Sequence, residues 1–150
     1  MATTKVDICS TALIMIGANS ITSFSDDSTE ANVCNVVYED IVKSALTRHR
    51  WRFATEQKQL SLLTASPTGR FTFRQDESEF PPHFILALEY SLAGLFAGSI
   101  ARDSGMIKQF SDMAERQYLI AKNIDSAERT NSVIDHSRFI NLRKSTRSTG

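Results

Sequence analysis

Scarcity says the most at first. Two cysteines in 150 residues are too few for a disulfide framework, and both fall on apolar helical spacing, so they read as buried free thiols of a reducing compartment. Six glycines, scattered over helix ends, a turn and a packing face, leave no phosphate-cradling loop. Three histidines, His49, His83 and His136, stand far apart with no second ligand at metal spacing, so neither metal nor cofactor is expected. Charge of one sign is also missing: seventeen basic residues meet seventeen acidic ones, which argues against a free-standing duplex-DNA binder. The longest apolar stretch, residues 84–101, is broken by Glu89, Tyr90 and Ser91, short of an uninterrupted membrane span. Residues 1–5 lead into an acid-containing amphipathic stretch, so no signal peptide is expected.

What remains is helical periodicity. Thr4 followed by Asp7 reads as a capping box opening a helix to about Ile16, with Val6, Cys9, Ala12, Leu13 and Ile16 on its apolar face and Gly17 ending it. Asp26, Asp27 and Ser28 offer cap oxygens for a second helix reaching Arg48, with the stripe Ala31, Cys34, Tyr38, Ile41 and Ala45. Trp51 and Phe53 read as core anchors at its base. Residues 53–63 fit strand or short helix. Pro67-Thr68-Gly69 reads as a turn, and Phe71-Thr72-Phe73 alternates as a strand does. Pro81-Pro82 opens a third helix to Ala101, apolar almost all round and thus the most buried. Asp103-Ser104-Gly105 caps a fourth helix to about Arg129, with Met106, Phe110, Met113, Ala114, Ala121 and Ile124 inward. The expectation is a mostly α fold: a four-helix domain over residues 1–130, a small β-hairpin between helices two and three, and a flexible basic C-terminal tail over 131–150.

Chemistry is hard to find. Asp26-Asp27 reads as a cap and Glu39-Asp40 as a solvent face, and neither cysteine has a paired histidine. The chain is therefore expected not to be an enzyme. Charge alternates along it: residues 1–47 are acidic, 48–74 basic, 75–103 acidic, 104–130 neutral and 131–150 basic. Such alternation suits a subunit whose neighbours are copies of itself. Arg48, Arg50 and Arg52, with Trp51 and Phe53, form the densest basic cluster. It supports an alternative reading, a small helical nucleic-acid-binding protein. In the tail, Phe139 and Leu142 are large apolar side chains flanked by Arg138, Arg143 and Lys144, a composition suited to docking into a partner.

A resemblance now enters. The run Ile8 to Ala18 (I-C-S-T-A-L-I-M-I-G-A), then Ile21-Thr22-Ser23-Phe24, Ala31 to Cys34, Tyr38 and Trp51-Arg52-Phe53-Ala54 resemble the tail tubular protein A family and related head-to-tail connectors of tailed bacteriophages. Those proteins read I-C-N-x-A-L-x-x-x-G, I-x-S-F-x-D, A-x-x-C, Y and W-x-F-A in the same order. The closing pair, Phe84 to Ala101 and Ala114 to Asp125, resembles that family's last two helices, so the likeness covers roughly residues 5–130. Longer relatives carry a β-rich insertion between the W-x-F-A region and the closing helices, where this chain has only the expected hairpin and the loop at 75–80, and the usual proline before the tryptophan is Arg50 here. The shortening favours a minimal adaptor. The resemblance implies a structural ring, commonly of twelve copies, at the head–tail junction of the virion, made in the host cytoplasm. Its partners would be itself, the portal protein and the next tail or tail-completion protein, with DNA only as cargo in the channel and no membrane. Arg138, Phe139, Leu142, Arg143 and Lys144 are then the candidate portal contacts. Arg48, Arg50 and Arg52 are candidate channel or subunit contacts.

Overall fold

A computed structural model describes residues 3–59 and 68–128. Four α-helices dominate: α1 (Lys5–Met15), α2 (Thr29–Thr47), α3 (Pro82–Phe96) and α4 (Ser104–Ala127). Three of the four starts are written in side-chain hydrogen bonding. Thr4 Oγ1 accepts from the Asp7 N–H at 3.2 Å while the Thr4 N–H donates to Asp7 Oδ2 at 2.9 Å, which is the reciprocal capping box. Ser28 Oγ accepts from the Ala31 N–H at 3.1 Å, and Asp103 Oδ1 from the Gly105 and Met106 N–H groups. Pro82 occupies the first turn of α3, where its missing N–H costs nothing. Gly17, at φ +76°, turns the chain out of α1.

Asp26 does not cap α2. Its carboxylate accepts from the Thr22 N–H, the Thr22 hydroxyl and the Ser23 N–H, each at 3.0 Å, and so ties the α1–α2 connection into a turn. Those three donors hold it below the usual carboxylate range.

Helix α3 is the centre of the molecule, touching α1, α2 and α4. Ser91 meets Tyr118, Gly94 meets Phe110 and Gly98 meets Ile107, so α3 and α4 run antiparallel. A Cβ added at Gly94 would already lie 3.6 Å from Phe110 Cβ and from Ser111 N and Oγ. Hence the backbones approach closely there. The π-helical turn Ala97–Ala101 extends α3 and ends at Arg102 in the left-handed region, φ +52°. The whole stretch, Pro82–Ala101, is long and apolar enough by length and composition to cross a membrane. Burial against three neighbours is the other use of such a helix.

Two sequence expectations about faces need correcting. On α2 Val42 is fully buried, while Ile41, expected on the inner stripe, is half-buried. On α4 the buried face is Phe110, Ala114, Tyr118, Ala121 and Asp125. Met113 and Ile124, expected inward, are 37% and 39% exposed. The helix is rotated because Tyr118 and Asp125, polar by type, find buried partners and can face the core.

The backbone pairs β1 (Thr55–Gln59) antiparallel with β2 (Thr68–Thr72), in register from Thr55↔Thr72 to Gln59↔Thr68. Residues 60–67, which would close a hairpin, lie outside the described residues. So does the segment 129–150, with the expected tail and its contacts Arg138, Phe139, Leu142, Arg143 and Lys144. The core also holds an aromatic cluster: Phe84 meets Trp51, Phe53 and Phe80 edge to face, each at 5.0 Å between centroids.

A polar group closes the same end. The Tyr38 hydroxyl donates to Glu77 Oε1 at 3.1 Å, and Arg74 binds both Glu77 and Glu39 while lying 5.4 Å over the Phe80 ring. Burial pushes the Glu77 carboxyl up, but the Arg74 guanidinium and the Tyr38 hydroxyl outweigh it and hold the carboxyl below its ordinary value of 4.5. Folding thus favours ionised Glu77. That stabilisation is complete above the unfolded value and disappears as pH falls through the lower folded one. Glu77→Gln is expected to flatten the acid limb of a stability–pH profile measured by urea denaturation below pH 4.5. For the α3–α4 contact, Gly94→Ala should be nearly neutral and Gly94→Leu should cost about 1–3 kcal/mol, since overpacking forces the backbones apart.

Candidate functional site

The residues singled out by sequence gather at one corner, where α2 ends and the chain turns toward β1. Trp51 is fully buried, and its indole N–H donates to the Ala45 carbonyl at 2.9 Å. His49 meets its ring edge-on at 5.0 Å. With Trp51 fixed inside, the flanking residues of alternate parity are thrown outward.

Asp125 of α4 organises this corner. It is 2% exposed, and its two carboxylate oxygens are used separately. Oδ1 accepts from the Arg52 backbone N–H at 3.0 Å, and Oδ2 pairs with His49 Nε2 at 3.1 Å. The Arg52 guanidinium donates to the Glu128 carbonyl, near the exposed end of α4, where a cation complements the helix dipole. Further back along α4, Arg48 binds the exposed Glu115 and lies 4.7 Å over the Tyr118 ring.

Two of the three clustered arginines therefore fasten α2 to α4 within one subunit. Arg50 differs: it is exposed, and no hydrogen bond or ion pair among the described residues engages it. The aromatic half of the cluster points the other way, because Trp51 is wholly interior and Phe53 packs on Phe80 and Phe84. A base-stacking platform needs exposed ring faces, and Trp51 offers none. Sequence reasoning missed Asp125 altogether. Its position on the core side of α4, opposite a histidine-bearing helix end, was the available signal.

The two thiols also come together. Cys9 on α1 and Cys34 on α2 are both fully buried. The Cys34 thiol beside it, with burial, pushes the Cys9 thiol up from its ordinary value and keeps it protonated at neutral pH. A protonated, sealed thiol is a poor nucleophile. Glu89 of α3, facing Thr11, is likewise raised by burial. Among the described residues, no three His, Cys, Asp or Glu side chains converge as metal ligands would. His83 Nε2 is buried without a partner among them.

No protein-family model matches the chain, and no curated protein matches it significantly.

Removing the Asp125 carboxylate leaves the His49 imidazole and the Arg52 N–H without their acceptor. Asp125→Ala is expected to destabilise by about 1–3 kcal/mol, read as a lower urea midpoint at unchanged slope. A change under about 0.5 kcal/mol would show that water replaces the carboxylate. The thiols should resist labelling by an aromatic disulfide reagent until the protein unfolds. Cys9→Ala with Cys34→Ala should cost about 1–3 kcal/mol, as small core truncations do.

Proposed function

We propose that this chain is a structural head-to-tail connector of a tailed bacteriophage. In this reading it forms a ring of about a dozen copies, a closed cyclic assembly, under the portal, continues the DNA channel and joins the next tail component. It is not an enzyme, and its place is the virion's head–tail junction. The finer architecture belongs to the same reading: a four-helix domain, a small hairpin between α2 and α3, and a basic arm over 131–150 that reaches the portal through Arg138, Phe139, Leu142, Arg143 and Lys144.

One observation supports it most. The residues that resemble the connector family occupy positions of structural consequence: Cys9, Ala12, Leu13, Ile21, Ala31, Cys34, Tyr38, Trp51 and Ala54 are all buried, and Gly17 makes the left-handed turn. Each is common alone. Together, in this order, they describe one way of packing two capped helices against a tryptophan-anchored corner. The likeness is therefore to a fold signature, which is what a structural subunit retains.

Arg50 is the member of the basic cluster left to face a channel or a neighbour. Arg48 and Arg52 contribute by holding the corner rigid.

The test is assembly. Purified protein mixed with portal should give a closed ring on the portal, seen by negative-stain imaging or native mass measurement. Subunits truncated after Asn131 should fold but fail to attach, leaving heads that leak DNA. Infectious particles at normal yield from the truncated subunit would remove the arm from the mechanism. Salt-dependent duplex binding without portal association would instead favour a nucleic-acid-binding protein.

A further inference from the structure

Cys9 and Cys34 are the only two cysteines of the chain, and the fold brings them together. Cys9 stands on the buried face of α1 with Ile8, Ala12 and Leu13, and Cys34 on that of α2 with Ala31 and Tyr38. Both side chains are fully enclosed, and the Cys9 thiol donates a hydrogen bond to the Cys34 sulfur. A core that needed only volume could place any small apolar residue at either position. Two sulfurs in contact, one from each helix, can also bond.

A disulfide forms without backbone movement only where two side chains already face each other at close range. Thiol contact meets that condition. The connection between the helices is itself fixed, because Gly17 turns the chain out of α1 and Asp26 ties Thr22 and Ser23 into a turn. The two cysteines are therefore held opposite each other before any bond exists. Access to them comes from α1. Its eleven residues are too few for a helix to persist without its packing, so local opening of α1 uncovers both sulfurs and its return brings them back into contact.

We propose that Cys9 and Cys34 are the site of an intramolecular disulfide, open in a reducing cytoplasm and closed when the protein meets an oxidising medium. The oxidant is a low-molecular-weight disulfide. Cys34, on the helix that stays in place, attacks it as the thiolate; the oxidant's S–S bond breaks and one small thiolate leaves. The Cys9 sulfur then attacks Cys34 Sγ in the mixed disulfide, and the second small thiolate departs. One S–S bond in the protein replaces one in the oxidant. The protein loses two electrons and two protons, and the two small thiols carry them away. The link also strengthens the fold. It removes extended conformations from the unfolded chain, and whatever it adds to folding, folding adds to the link. The inference does not depend on the connector reading, since it concerns only the α1–α2 contact.

The test uses the full, unaltered chain, equilibrated with glutathione and glutathione disulfide at a series of ratios. One set is refolded from urea into buffer, and the other is kept in urea. Both are quenched by acid, alkylated and weighed as intact chains. The equilibrium constant for the linked monomer should be on the order of a hundredfold greater in buffer than in urea, the factor that corresponds to the usual stabilisation by a cross-link. The linked monomer should also show a higher urea midpoint than the reduced chain. A ratio below about tenfold would overturn the proposal, because the fold would then contribute too little to the bond. Glutathione adducts or linked dimers as the main products in buffer would overturn it as well. So would a lower urea midpoint for the linked monomer, which would show that the helices cannot accept the bond without strain.

Discussion

Everything in this domain depends on hiding α3. Its fifteen residues, Pro82–Phe96, carry few polar groups, and seven of them are buried. Burying such a helix requires neighbours on several sides, and α1, α2 and α4 provide them. The closest approach is at Gly94, where the absence of a side chain lets Phe110 and Ser111 lie directly on the α3 backbone. Close backbones multiply dispersion contacts, each small, into a large sum. One polar side chain that faces α4 is matched in turn. Ser91 returns its hydroxyl to the Ala87 carbonyl and meets the Tyr118 hydroxyl at 3.1 Å, so the interface carries no unsatisfied hydroxyl there.

Around that helix, the ends are locked by polar groups placed where apolar packing stops. At one corner Asp125 joins α4 to the α2 terminus, and near the aromatic cluster Arg74 joins Glu39 of α2 to Glu77. Both arrangements bridge residues far apart in sequence, and in both a carboxylate accepts more than one donor. Breaking such a group leaves buried donors stranded, which is why it specifies an arrangement more strongly than it stabilises one.

How much of this the sequence disclosed follows from where each signal resides. Caps are local: Thr4 with Asp7, Ser28 and Asp103 could be read because a cap and its N–H partner lie two or three residues apart. Helix identity was legible for the same reason. Faces were less so. Periodicity by hydrophobic type assigned Met113 and Ile124 to the core and passed over Tyr118 and Asp125, because a polar residue's burial depends on partners 27 to 76 residues away. The candidate site suffered most. Arg48, Arg50 and Arg52 look alike in a string, and only the folded chain separates two internal fasteners from one exposed cation. Residues 53–63 stayed ambiguous because the strand pairing of Thr55–Gln59 is a relation to Thr68–Thr72, not a property of either segment.

That separation of the arginines also changes what the charge pattern means. Acidic and basic blocks alternate along the chain, and a pattern of this kind invites a contact between copies. Yet Arg74 of the basic block is bound to Glu39 and Glu77 of the acidic blocks on either side, and Arg48 to Glu115. Part of the alternation is thus satisfied inside one subunit, where it records which helices lie side by side. Charges so engaged cannot also steer a neighbour without giving up their partners. Any association of copies would then draw on what the fold leaves unmatched, which among the described residues includes the exposed Arg50 and exposed apolar side chains such as Ile14, Val36 and Leu119. A contact of that composition would be held mainly by burial and weakly screened by salt, whereas one built on alternating charge would fade as ionic strength rises.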